Sequence, residues 1–219
     1  VIQALIFDFD GTILDTETPE FEVWQGVYAH HGVHLELTEW GRGIGTWDAF
    51  DPHAHLEALT GKSFNKDDLH TIVRGRVHEV IRVLEPISGI LEVLEHAKAR
   101  GLRLAVASSS SRDWVRDHLE RLGLLERFES LSTRYDVERV KPDPALYLHA
   151  LEQLGLEPAQ AIAIEDSPNG AKAALAAGLR AVIVPNAVTR TLAFPDGVTR
   201  LERLDKGALD AVLDGQESE

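Results

Sequence analysis

Two aspartates set two apart, Asp8 and Asp10, follow the apolar run Ala4-Leu5-Ile6-Phe7 and lead directly into Gly11-Thr12. A short run with β-branched and aromatic members, stopped by glycine, reads as a buried strand that delivers its carboxylates into a turn. If strand geometry persists to the end, alternate side chains leave on the same side and both carboxylates face one small volume. Gathering like charges away from water is costly unless a cation lies between them. The chemistry that suits such a pair is metal-assisted phosphoryl transfer, with Gly11 letting backbone amides approach an anion. A solvated Asp-x-Asp turn is the plain alternative. Against it, aspartates are normally exposed and poor strand formers, so their place at the end of an apolar strand needs a reason.

Further polar groups close later apolar runs. Ser108 opens the serine run 108–111 after Leu102–Ala107, Lys141 stands in Val140-Lys141-Pro142-Asp143-Pro144, and Glu165-Asp166 ends Ala161-Ile162-Ala163-Ile164. Alone, each has an ordinary explanation: a serine before a helix is usually an N-cap, and a lysine before proline usually a surface residue. Together they fall at the ends of successive predicted strands, where open parallel sheets bind ligands.

The elements that must position them change character along the chain. After Asp15 the pattern turns helical: Thr18-Pro19 offers a cap and first turn, Phe21, Trp24 and Tyr28 follow at helical spacing, and Gly32 stops the run. A short helix is predicted over His53 to Leu59. A longer one capped at Asn65 carries Leu69, Ile72, Val73, Val77, Val80, Ile81 and Leu84. From Glu85-Pro86 helix and strand alternate, the pattern of a parallel sheet with crossover helices. Roughly seventy residues of helix thus separate the first strand from the next, far more than one crossover needs. The expected fold is α/β, a Rossmann-like doubly wound parallel sheet with an inserted all-helical cap. Residues 1–14 and 87–219 form the core and 15–86 the cap, joined by two linkers able to hinge.

Composition bounds the partners. The 219 residues carry a net charge of −14, which argues against nucleic acid and anionic membranes as partners. No apolar run approaches a membrane span, and nothing at the amino terminus resembles a secretion signal. Cysteine is absent, excluding disulfides and thiolate metal sites and fitting a reducing cytoplasm. A monomer or weak dimer acting on a small phosphorylated metabolite is the expectation. The acidic tail from Asp214 is expected to fray.

Four carboxylates near one point would repel a phosphate dianion by several kcal/mol per close pair, even at an effective dielectric near ~20. A hard divalent cation removes that objection, and an all-oxygen ligand set suits Mg²⁺. Lys141 adds a second positive charge, able to hold a phosphate oxygen and Asp8 together. The Ser108 hydroxyl and the amides of Gly11 and Ser109 can cradle the remaining oxygens.

The order Asp8-x-Asp10-Gly11-Thr12, Ser108, Lys141-Pro142-Asp143-Pro144 and Glu165-Asp166-Ser167-Pro168-Asn169-Gly170 resembles the haloacid dehalogenase superfamily. The helical insert after the first motif resembles its β-phosphoglucomutase and phosphoglycolate phosphatase-like branch. The resemblance implies Asp8 as nucleophile, forming an aspartyl-phosphate, and Asp10 as the acid that protonates the leaving group and then activates water. It implies Mg²⁺ held by Asp8, the backbone carbonyl of Asp10, and Asp166, with Glu165 ligating directly or through water. Mutases of this branch carry an arginine in the cap loop and a histidine early in the first cap helix. This chain has Gly43-Ile44-Gly45-Thr46-Trp47 and Glu20 there. A phosphatase is therefore expected, with Thr12 joining the substrate site and Arg42 and Trp47 reaching substrate from the glycine-rich loop 41–47.

Other classes fit less well. A receiver module also gathers an acidic pair, a hydroxyl and a lysine, but lacks the helical insert and takes its acceptor aspartate from a middle strand. A phosphate-sensing regulator would not need the full turnover set present here. The ten histidines, notably His30, His31, His34, His53 and His55, are expected on the exposed side of the cap and not as metal ligands. Trp24, Trp40 and Trp114 are expected in packing.

Overall fold

The computed structural model describes residues 1–47 and 49–215. Most of the acidic tail expected to fray, from residue 216 on, lies outside the described residues. In chain order, β1 (Ala4–Phe7) is followed by α1 (Glu17–His30), α2 (Leu37–Trp40), α3 (Pro52–Thr60) and α4 (Lys66–Ile81). Then come α5 (Ile90–Ala99), β2 (Arg103–Ala107), α6 (Arg112–Arg121), β3 (Ser130–Ser132), α7 (Ala145–Leu154) and β4 (Ala161–Glu165). The chain closes with α8 (Pro168–Ala176), β5 (Arg180–Ile183), β6 (Thr199–Arg200) and α9 (Lys206–Leu213).

All strands are parallel, in the order β3-β2-β1-β4-β5-β6. The order reverses beside β1, so the sheet is doubly wound and β1 ends where such sheets open a ligand crevice. Strand β6 has two residues, too short to leave an alternating pattern in the sequence. The period of two in β1 decides its layers: Leu5 and Phe7 join one apolar cluster and Ala4 and Ile6 the other, on the opposite face. The second cluster is rich in alanine from β2, β4, β5 and α8, which lets α7 and α8 lie close on the sheet.

Helices α1 to α4 occupy the predicted insert, with α1 packed on α4. Their buried residues, among them Trp24, Leu56 and Val77, share the first apolar cluster with Phe7 and Phe9. The two crossings lie side by side, the Ile87 amide donating to the Ile13 carbonyl at 2.9 Å. Asn65 caps α4 as expected, its side chain accepting from the amides of Asp67 and Asp68. The start of α1 differs: it begins at Glu17, with Asp15 Oδ1 accepting from the Thr18 amide at 3.1 Å. Thr16 at the cap position turns its hydroxyl to Asp10 instead.

The histidines are not uniformly outside. His53 is buried with Nε2 3.1 Å from the Phe64 carbonyl, and His55 Nδ1 lies 3.0 Å from the Tyr28 hydroxyl. Both hold the cap together. Among the described residues no group of acidic and histidine side chains suited to a metal includes a histidine, and no helix is long and apolar enough to cross a membrane.

One close approach locks the sheet edge to α8. A Cβ on Gly170 would overlap the carboxylate of Glu165, which is fixed on every side. Alanine is normally the better helix former by about 1 kcal/mol, but here the collision dominates. Gly170→Ala is expected to lower the thermal midpoint, by a loss of about 1–3 kcal/mol. An unchanged or raised midpoint would show that Glu165 is free to move.

Candidate active site

The carboxyl ends of β1, β2 and β4 and the loop after β3 bring Asp8, Ser108, Glu165, Asp166 and Lys141 together. All are buried, with Lys141 1% exposed and Asp8 3%. Lys141 Nζ donates to Asp8 Oδ1 at 2.5 Å and to Glu165 Oε1 at 2.6 Å. Burial disfavours the ammonium, yet its attraction to Asp8 and Glu165 outweighs that and holds its pKa above the ordinary lysine value. One cation thus stands against three buried carboxylates, and it is not enough. Burial first, and then repulsion from Glu165 and Asp10, push Asp8 up to about 8 despite Lys141. Burial likewise raises Asp166 well above the carboxylate range, aided by Asp8 and Glu165.

Asp8 Oδ2 is buried with no hydrogen-bond partner. Ligand atoms of Asp8, Glu165 and Asp166 lie within 4.8 Å of one another. An orphaned carboxylate oxygen inside a hard-oxygen set with excess negative charge fits a divalent cation of the Mg²⁺ type. Within that set the three acids are not equivalent. Glu165 is fully engaged: Oε1 takes Lys141 and the Tyr147 hydroxyl at 2.6 Å, while Oε2 takes the Asp166 and Ser167 amides and the Ser167 hydroxyl. It ties Lys141, Tyr147 and the first turn of α8 into one unit. Asp166 is oriented by Asn186 Nδ2 on Oδ2 at 2.7 Å and by the Thr12 hydroxyl on Oδ1 at 3.4 Å.

Asp10 lines the same cleft, but its carboxylate stands outside the cluster of Asp8, Glu165 and Asp166. Its Oδ1 accepts from the Thr16 hydroxyl at 2.8 Å and the Trp114 indole at 2.9 Å, and its Oδ2 from Ser110 at 2.6 Å and Ser108 at 3.3 Å. The extended geometry that would align Asp10 with Asp8 ends at Phe7. Beyond it the Phe9 carbonyl accepts from the amides of Thr12, Ile13 and Leu14, and the backbone turns. The same turn uses the Gly11 amide on the Leu14 carbonyl at 2.7 Å, so that amide is not free to cradle an anion. Gly11 matters instead through its φ of 79° and its approach to Asp166, where a side chain would collide with the carboxylate.

The glycine-rich loop sits on the sheet edge. Ser109 Oγ donates to the Gly45 carbonyl at 3.0 Å, Asn169 Nδ2 to the Ile44 carbonyl at 2.8 Å, and Thr46 Oγ1 to the Lys141 carbonyl. Ser109, expected on substrate, thus holds the loop with its side chain. Arg42 points elsewhere, pairing with Glu39 at 2.7 Å on an exposed surface and lining no part of the cleft. Trp47 does line it. A cleft of about 1130 Å³ is lined by Asp8 and Asp10, by Glu17, Glu20 and Arg74 of the helical insert, and by Arg134 and Tyr135. Among the residues sequence reasoning passed over, Asn186 touches the carboxylate of Asp166, Tyr147 that of Glu165, and Ser110 and Trp114 that of Asp10.

The chain is similar to known proteins over most of its length. The YhcW protein of Bacillus subtilis (strain 168), provisionally named a phosphatase, is 46% identical over 214 residues, covering 98% of this chain and 97% of its own. The phosphorylated carbohydrates phosphatase of Thermotoga maritima is 32% identical over 186 residues, 83% of this chain and 84% of its own. The crystal structure of a HAD family hydrolase from Deinococcus radiodurans R1, with bound phosphate and sodium, superposes with a TM-score of 0.74 at 31% identity. It covers 98% of this chain and 96% of that one. The profile of the haloacid dehalogenase-like hydrolases matches residues 5–184, and with the strand-end carboxylates, lysine and serine gathered at one sheet edge, the chain belongs to that family.

Proposed function

We propose that this chain is a Mg²⁺-dependent phosphatase that hydrolyses a small phosphorylated metabolite, a sugar phosphate or phosphoglycolate-like ester, through an aspartyl-phosphate on Asp8. The reading assigns residues 1–14 and 87–219 to the catalytic core and 15–86 to a cap over the cleft. The observation that carries it is the buried, unpartnered Oδ2 of Asp8 beside Lys141 and Asp166. The names of the Bacillus and Thermotoga relatives, and the phosphate bound in the Deinococcus structure, support it.

Asp8, the backbone carbonyl of Asp10 and Asp166 would hold the cation; Glu165, both of whose oxygens are already engaged, stands behind them fixing Lys141 instead of ligating directly. When bound, the ion neutralises the pocket and the incoming phosphate, keeping Asp8 ionised at neutral pH. The Asp8 carboxylate then attacks phosphorus, forming an acyl phosphate as the ester P–O bond breaks. Asp10 gives its proton to the departing oxygen. Asp10 then takes a proton from the water that attacks the acyl phosphate, releasing phosphate and restoring Asp8. Ser108, Ser110, Thr16 and Trp114 hold the Asp10 carboxylate on the cleft side, where the leaving group departs. Lys141 is placed to bear a phosphoryl oxygen.

Hydrolysis is favoured over a mutase because the arginine of loop 41–47 turns outward to Glu39, leaving that loop without a cationic grip. The test is a screen of phosphorylated metabolites for released phosphate, run beside a glucose 1-phosphate isomerisation assay with a bisphosphate primer. Phosphate release supports the reading, and isomerisation without net release overturns it.

Asn186 gives a narrower prediction. Its amide orients Asp166 without touching Asp8, so Asn186→Ala is expected to weaken Mg²⁺ affinity by about 10–100-fold. Turnover should recover at saturating Mg²⁺. An unchanged half-saturating Mg²⁺ concentration would remove Asp166 from the ligand set.

A further inference from the structure

The acidic composition leaves few cations facing the cleft, Lys66, Arg74 and Arg134. Lys66 pairs with Asp51 at 2.8 Å, and Arg74, on the exposed side of α4, is held by no aromatic ring among the described residues. Elsewhere the arginines that flank the sheet are paired too, Arg112 with Asp136 and Arg103 with Glu129. Arg134 differs. It lines the cleft and has no carboxylate partner among the described residues; its side chain donates to the Tyr135 hydroxyl at 2.5 Å.

The guanidinium is nonetheless held. Its carbon lies 3.9 Å from the centre of the Trp47 ring, contributed by the loop of the helical insert, and 4.7 Å from that of Tyr135. Two aromatic faces fix its plane and reduce its contact with water, while its N–H edges stay available to an acceptor. Its backbone is tied to the reaction centre: the Arg134 amide donates to the Ser110 carbonyl at 3.0 Å, and the Ser110 hydroxyl donates to Asp10. Arg134 and Asp10 line the same cleft, so on the phosphatase reading the guanidinium is open to the leaving portion of a substrate whose departing oxygen Asp10 protonates. Planar, oriented guanidinium edges match carboxylate and phosphate oxygens in two-point contacts.

Resting on the phosphatase reading, we propose that Arg134, clasped by Trp47 and Tyr135, anchors a second anionic group on the leaving portion of the substrate. The substrate class is then a small phosphate ester that also carries a carboxylate or a second phosphate. A neutral ester would leave this oriented cation without a counter-charge on the ligand.

The experiment compares matched probes with and without the second anion. These are glucose 1,6-bisphosphate against glucose 1-phosphate, and 2-phosphoglycolate against 2-hydroxyethyl phosphate. The wild type is expected to favour the doubly anionic member of at least one pair by about 10- to 100-fold in kcat/KM, as a charge-assisted contact allows. The favoured pair distinguishes phosphate from carboxylate. Arg134→Gln should collapse the ratio toward one, mainly through KM, and Arg134→Lys should restore part of it. Calorimetric binding of the same probes to Asp8→Asn reads the preference without turnover, so a failure of catalysis is separated from a failure of this anchor. No preference in either pair, or an equal fall for both members in Arg134→Gln, would reduce Arg134 to a clasp between loop 41–47 and the sheet and overturn the proposal.

Discussion

Asp8→Asn is expected to remove Mg²⁺-dependent release of p-nitrophenol from p-nitrophenyl phosphate, lowering kcat by about 10⁴-fold or more. The amide has no anionic oxygen to attack phosphorus and supplies a weaker ligand to a hard cation, so both functions proposed for this side chain are lost together. The fold should survive. Lys141 keeps Glu165 at 2.6 Å, and the pocket sheds a carboxylate whose ionisation burial already opposes. The thermal midpoint measured without metal should therefore hold or rise while activity vanishes. Retained turnover would place the nucleophile elsewhere.

Lys141→Met should be the most damaging single change to stability. The side chain is 1% exposed and is the only cation in direct contact with Asp8 and Glu165 among the described residues. Methionine fills similar volume but leaves buried carboxylates facing each other uncompensated, a loss of about 3–5 kcal/mol. Denaturant unfolding would read it directly. The same variant makes a sharper point about the metal: because the added cation binds the folded pocket and not the unfolded chain, Mg²⁺ should raise the midpoint of Lys141→Met more than that of the wild type. Equal shifts would mean that the ion sits away from this lysine. Turnover should fall as well, since a phosphoryl oxygen loses its positive partner.

The sequence made the sheet and most of the buried cluster legible for a simple physical reason. In a doubly wound sheet each buried strand is a short apolar run, and polar residues at its carboxyl end are conspicuous against it. Asp8, Ser108, Glu165 and Asp166 all carry that signal, and Lys141 stands out beside two prolines. What stayed hidden lacked such contrast. Tyr147 lies on the apolar face of α7 with Leu146, Ala150 and Leu151, so its periodicity reads as core and its hydroxyl on Glu165 leaves no trace. Trp114 likewise reads as packing on α6, although its indole N–H is aimed at Asp10. Asn186 belongs to a loop and Arg134 to a single 3-10 turn, 134–136, both too short for a period to mark them. Asp10 lines the same cleft as Asp8, as its spacing suggests, but its carboxylate lies outside the cluster of Asp8, Glu165 and Asp166 because the backbone turns at Phe9, a turn in which Gly11 takes a positive φ.

The account stands on a divalent cation converting an acidic pocket into one that accepts a phosphate ester. The most direct test is p-nitrophenolate release by chelator-treated protein titrated with Mg²⁺. It should be silent without metal, rise to saturation as Mg²⁺ is added, and stay silent at every concentration in Asp8→Asn. Full turnover by the chelator-treated wild type would contradict it.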